Sequence, residues 1–96
     1  MAYNVGTSNI TADGVIGPSG RPIRVYSFVV HSGGTAAVVS FYSGTSSSGT
    51  KLIQIDGTIN KSVVVTFEEG LLFSAGCYCD LDTNTTFVTT SYAAEI

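Results

Sequence analysis

The sequence predicts an all-β domain, a small antiparallel β-sandwich of about eight short strands with a jelly roll as the expected wiring. Three observations carry this. Runs rich in Val, Ile, Thr, Phe and Tyr are broken at short intervals by Gly, Pro, Asn and Ser. Successive runs begin about eleven residues apart on average, within the eight-to-twelve spacing of a sandwich or barrel. No window of about eleven residues keeps apolar positions at i, i+3, i+4 and i+7 without a Gly or a β-branched run crossing it, which excludes an amphipathic helix.

The elements follow in order. Residues 1–8 are expected to form an N-terminal arm, and residues 9–96 a single sandwich domain. The first strand is expected from Asn9 to Ile16, closed by the turn formers Gly17, Pro18, Ser19 and Gly20. The run from Ile23 to His31 is the longest β signal and reads as apolar on both faces, with Ile23, Val25 and Val29 on one and Tyr26, Phe28 and Val30 on the other. A two-sided strand needs cover on both sides, either from a second sheet and a neighbouring chain or from loops. Ser32 to Thr35 reads as a hairpin turn into a strand from Ala36 to Tyr42. The Ser, Thr and Gly residues from Ser43 to Thr50 cannot bury apolar area and predict an exposed, mobile loop. Lys51 to Ile55 is the next strand, ended by the Asp56-Gly57 turn signal. Ser62 to Phe67 alternates, with Val63, Val65 and Phe67 on one face and Val64 and Thr66 on the other. Glu68, Glu69 and Gly70 are expected to turn the chain. Short strands then follow at Leu71–Phe73, Cys77–Leu81 and Phe87–Tyr92.

Composition bounds the function. The chain has 96 residues, enough for one core and no cleft between domains. Only 11% of residues are charged, under half the usual roughly 25%, while the mean hydropathy is +0.34. Twelve Ser, twelve Thr and eleven Gly wet the surface in place of charge. The net charge is −3 and the four cations, Arg21, Arg24, Lys51 and Lys61, form no basic footprint, which argues against nucleic acid. No apolar stretch approaches a membrane span, and the first residues lack a signal-peptide pattern, so synthesis and retention in a cytoplasm are expected.

The chemical motifs fall short of a catalytic or metal signature. Asp80, Asp82 and Asn84 match the opening of an EF-hand loop, but Thr85 replaces the required Gly and Ser91 the closing Glu. An Asx-rich turn is the expectation. Cys77 and Cys79 alternate onto one face of a strand with Leu81, too few ligands for zinc and poorly placed for a disulfide, and read as buried apolar residues. Tyr78 and Asp80 should then point outward. The sole histidine, His31, has no recognisable triad around it, and no G-x-S-x-G elbow is present. Adjacent Glu68 and Glu69 would face opposite ways in a strand and could not act as a glycosidase pair. No catalytic residue, cofactor or metal ligand is therefore assigned. The sequons at Asn9, Asn60 and Asn84 are expected by chance in a chain so rich in Asn, Ser and Thr. Five tyrosines suit an interface or a sugar-stacking surface. The candidate interface residues are Ala2, Tyr3, Val5, Tyr26, Phe28, Tyr42, Tyr78 and Tyr92.

Several stretches resemble one family. They are Val25 to Gly33, Val38 to Thr50, Val65 to Phe67, Gly70 to Gly76, Cys77 to Leu81 and Val88 to Tyr92. Together they resemble small β-sandwich virion structural proteins of tailed bacteriophages, of the capsid decoration or cement type. This chain departs in carrying cysteines where the pattern has aliphatics. The resemblance implies a non-enzymatic protein on the capsid surface of a virion, made in the bacterial host cytoplasm. Its implied partners are the major capsid protein and further copies of itself in a homotrimer. A head, neck or tail accessory protein and a carbohydrate- or receptor-binding module are the alternatives.

Overall fold

The computed structural model describes residues 6–94. Eight strands make up the fold: β1 (Gly6–Ile10), β2 (Gly14–Ile16), β3 (Ile23–Ser32), β4 (Val38–Ser43), β5 (Thr50–Asp56), β6 (Ser62–Phe73), β7 (Cys77–Leu81) and β8 (Thr85–Ala94). They form two antiparallel sheets of four, ordered β1-β8-β3-β6 and β2-β7-β4-β5. All consecutive strands except β4 and β5 lie in opposite sheets, which is the path of a jelly roll. Among the described residues no helix is long and apolar enough to cross a membrane.

The expected number of strands is reached by two compensating differences. The expected Asn9–Ile16 strand is two strands: the chain bends at residues 11–13 and carries β1 and β2 into different sheets. The expected break at Glu68, Glu69 and Gly70 lies inside β6, which runs unbroken to Phe73. Residues 6–8, expected in the arm, belong to β1, which pairs with β8 from Gly6 onward, and the rest of the expected arm lies outside the described residues. The predicted hairpin after His31 is a crossover, since β3 and β4 belong to opposite sheets. Residues 33–37 cap one end of the sandwich. Gly33 N–H donates to Asn84 O at 3.0 Å, Asn60 N–H to Gly33 O at 2.9 Å, and Ala37 N–H to the buried Ser32 Oγ at 3.1 Å.

A bulge resolves the two-sided strand. Between Val25 and Ser27 the register of β3 shifts against both neighbours, so that Tyr26 is an extra residue. Opposite it, Phe67 to Gly70 are extra residues on β6. One extra residue reverses the pleat. Ile23 and Val25 point inward before the bulge, Phe28 and Val30 point inward after it, and all four are fully buried. Val29 faces outward. Four apolar residues of the strand thus share the inner face, and Val29 is the aliphatic one left outside.

Between the sheets the core centres on Phe28 of β3 and Phe41 of β4, whose ring centroids are 3.9 Å apart. Phe67 and Phe73 meet Phe28 edge-on at 6.0 and 6.3 Å. Ile16, Ile23, Val39, Val88, Cys77 and Cys79 complete the buried layer. The all-β sandwich stands as predicted, as does the β6 face from which Val63, Val65 and Phe67 pack inward, whereas the faces expected for β3 do not.

Candidate functional site

The two outer faces of the sandwich differ in chemistry. Across the β1-β8-β3-β6 sheet, cross-strand pairing lays side chains into three rows below the bulge. The first is Thr7, Ser91, Ser27 and Thr66. Next come Asn9, Thr89, Val29 and Val64, and then Phe87, His31 and Ser62. None of the eleven Asp, Glu, Lys and Arg residues of the chain falls in these rows. Charge resumes only at the borders, with Arg24, Glu68 and Glu69 at the bulge and Lys61 beside Ser62. Val64 is the most exposed large apolar residue among those described, at 61%. His31 stacks on Phe87 with centroids 5.0 Å apart and ring planes 8° from parallel, and a 2.9 Å hydrogen bond joins its Nδ1 to Ser62 Oγ. Thr89 Oγ1 donates to Asn9 Oδ1 at 3.3 Å. Side chains so tethered present a regular uncharged surface with an apolar centre.

The opposite face, on β2-β7-β4-β5, is polar and aromatic. Tyr42 and Tyr78 pair directly across β4 and β7, with ring centroids 6.5 Å apart. Val15 flanks Tyr78 and Lys51 flanks Tyr42. The adjacent row holds Asp80, Ser40 and Gln54. Lys51 Nζ donates to Gln54 Oε1 at 2.5 Å, and Gln54 Nε2 donates to Asp56 Oδ1 at 3.0 Å. Desolvation raises the Tyr78 hydroxyl above its ordinary value, and the charges of Asp13 and Asp80 add to the shift.

The predicted site residues separate accordingly. Tyr42 and Tyr78 come together on this second face, and Tyr26 lies half-buried at the bulge. Tyr92 packs against the core from β8. Phe28 is fully buried at the centre of the sandwich, so its assignment to an interface is corrected: the bulge turns it inward. Ala2, Tyr3 and Val5 lie outside the described residues. Sequence reading missed Val29, Val64, Phe87 and Ser62. Val64 was legible as the outward member of an alternating strand, whereas Val29 was hidden by the pleat reversal.

Asp82 to Asn84 form the Asx-rich turn the sequence predicts, while Asp80 and Leu81 of the same segment end β7. Asp82 accepts Val38 N–H at 2.9 Å, Asn84 N–H at 3.0 Å and Thr85 Oγ1–H at 2.9 Å. Although desolvation pushes the other way, these hydrogen bonds hold its carboxyl below the ordinary value. Among the described residues no group of three or more His, Cys, Asp or Glu is placed to hold a metal ion. Cys77 and Cys79 are free and buried, and burial pushes the Cys77 thiol up to about 12 and raises that of Cys79 as well. Such thiols pack and do not react. Comparison of the chain with protein-family models, curated proteins and solved structures returned no match.

Proposed function

We propose that the protein is a non-enzymatic structural subunit of a tailed-bacteriophage virion, a decoration protein that covers and stabilises the capsid surface. The observation that carries this reading is the uncharged face of β1-β8-β3-β6, with Val29 and the exposed Val64 side by side in its middle row. Burying charge against another protein costs desolvation, so a face without charge is suited to close contact. The resemblance of the strand and turn segments to decoration proteins gives the partner, the major capsid protein.

Magnitude favours an oligomer. Three rows on four strands, with strands about 4.8 Å apart and rows about 7 Å apart, present roughly 300–400 Å². A stable interface takes about 800 Å² from each partner, so one copy attaches weakly. Three copies joined as a homotrimer bind together and gain avidity without new contacts. A second reading, a carbohydrate- or receptor-binding module, is favoured by the Tyr42–Tyr78 pair beside Asp80, Gln54 and Lys51, where rings can stack on a sugar and polar groups meet its hydroxyls.

Light scattering and co-sedimentation with empty capsids test the proposal. A trimer that pellets with capsids and raises their resistance to heat is the expected result. A stable monomer that leaves capsids bare overturns it, and hits on a glycan array without capsid binding select the second reading.

A further inference from the structure

Among the edge strands of the two sheets, β6 alone offers a partner an uncharged and strongly apolar stretch of backbone. β2 is three residues long, β5 carries Lys51 and Asp56, joined through Gln54, and β1 contributes Ile10 alone among large apolar residues. Short length and charge are the usual guards of an open edge. β6 has β3 as its single neighbour in the sheet, and from Ser62 to Thr66 it reads Ser-Val-Val-Val-Thr, without charge, Pro or Gly. Its outer side can be assigned residue by residue. Ser32 N–H donates to Lys61 O at 3.1 Å, so that carbonyl points at β3, and across the planar trans peptide the N–H of Ser62 points away. Alternation along the strand then directs the N–H and C=O of Ser62, Val64 and Thr66 to the open edge and those of Val63 and Val65 to β3.

We propose that two copies of this chain join edge to edge through β6, antiparallel about a two-fold axis at Val64, so that two four-stranded sheets become one continuous sheet. The stretch is complementary to itself in that register. Val64 lies opposite Val64 of the second copy, Ser62 opposite Thr66 and Val63 opposite Val65, and every outward N–H and C=O of Ser62, Val64 and Thr66 meets its counterpart. Charge agrees with this direction. Lys61 precedes the stretch and Glu68 and Glu69 follow it, so antiparallel pairing brings the cation of each copy toward the acids of the other, whereas parallel pairing sets like charges together. Val63 and Val65 pack on the core yet stay half-buried at the edge, and facing each other they bury further. Asn60, with φ +57°, and the extra residues Phe67 to Gly70 bound the stretch, which limits pairing to about 17 Å of strand. That is less than a standard interface, so the contact is weak between dilute molecules and gains where copies are held close together. It needs neither capsid nor trimer, and a two-fold contact adds to a three-fold assembly as a link between neighbouring trimers.

Amide hydrogen exchange in dilute and in concentrated protein reads the contact directly. At about 1 mM protein, a dissociation constant of about 1 mM leaves half the chains paired, so the Ser62, Val64 and Thr66 amides should slow about twofold, and more for a tighter pair. The Val63 and Val65 amides, already in the ladder with β3, should not change. Rates independent of concentration overturn the proposal. Protection gained on β1 as well means head-to-tail addition of β1 to β6 and overturns it too. Cysteine cross-linking under mild oxidation gives a second readout. Directly opposed Cα atoms in a hydrogen-bonded pair lie about 5.5 Å apart, within disulfide reach, so Val64→Cys should yield a covalent dimer. Leu72→Cys, exposed on the same strand, would stand roughly 50 Å from its counterpart at about 3.4 Å per residue and should remain uncoupled. Equal cross-linking of the two variants overturns the proposed register. Neither readout involves capsids, so failure here is separate from failure of the decoration reading.

Discussion

Asp82 illustrates how much of a loop one carboxylate can organise. It holds the start of β4 through Val38 N–H and the β7–β8 turn through Asn84 and Thr85, tying the two sheets together at one end of the sandwich. Removing the acceptor leaves these donors to water or unpaired, so Asp82→Ala should cost about 1–2 kcal/mol at neutral pH. The sign with pH follows from its lowered folded-state value. The contribution is fully present above the ordinary carboxyl value of 3.8 and is lost as pH falls through the folded value. Urea unfolding should therefore separate the native sequence from Asp82→Ala at pH 7, and the gap should narrow as pH falls below the ordinary carboxyl value of 3.8 and the carboxylate is protonated. The segment's turn character was legible because Asp and Asn satisfy nearby backbone donors. Its partner Val38, 44 residues away, was not. Asp13 drew no attention in the sequence for the same reason, since its meaning comes from Leu81, 68 positions along the chain, whose N–H it accepts.

At the scale of the element, the paired irregularities in β3 and β6 decide which side chains face the core. Gly70 closes the irregular stretch of β6 with φ +83°, a conformation that L side chains rarely adopt. A Cβ there would stand 2.3 Å from Arg24 Cγ and 3.0 Å from Tyr26 Cε1. Gly70→Ala thus combines backbone strain with a clash and should destabilise the fold by about 1–3 kcal/mol, measured as a shift of the denaturation midpoint without a change in slope. An unchanged midpoint would mean that the irregularity does not depend on this glycine. The sequence contains the glycine and the two glutamates before it, and local turn grammar reads them as the end of a strand. Pairing with β3 on both sides of the stretch keeps them within one. The reading of β3 as apolar on both faces has the same origin, because strict alternation places Ile23 and Phe28 on opposite faces unless one residue is absorbed by a bulge.

For the whole molecule, the distribution of charge over the two faces carries the functional argument. One face holds three uncharged rows, and the other has Tyr42, Tyr78, Asp80 and Lys51 together. Val64, exposed on the first face, offers a substitution that separates folding from assembly. Val64→Glu should leave the melting temperature within about 2 °C, as surface changes usually do. Under the proposed decoration role it should nonetheless abolish or sharply weaken binding to capsids by burying a charge without a partner. Retained binding would move the contact to another surface. What the sequence determined by itself is the class of fold and the type of surface. Its β-branched and aromatic runs, frequent glycines and lack of helical period admit only strands, and its 11% charge leaves hydroxyls to face water. The tertiary structure alone decided which strands share a sheet, that Asn9–Ile16 divides between two, and that Phe28 is core while Val29 is surface. The physical reason is that alternation is a local property with a period of two, whereas a bulge or a crossover is settled by pairing partners that lie far apart along the chain.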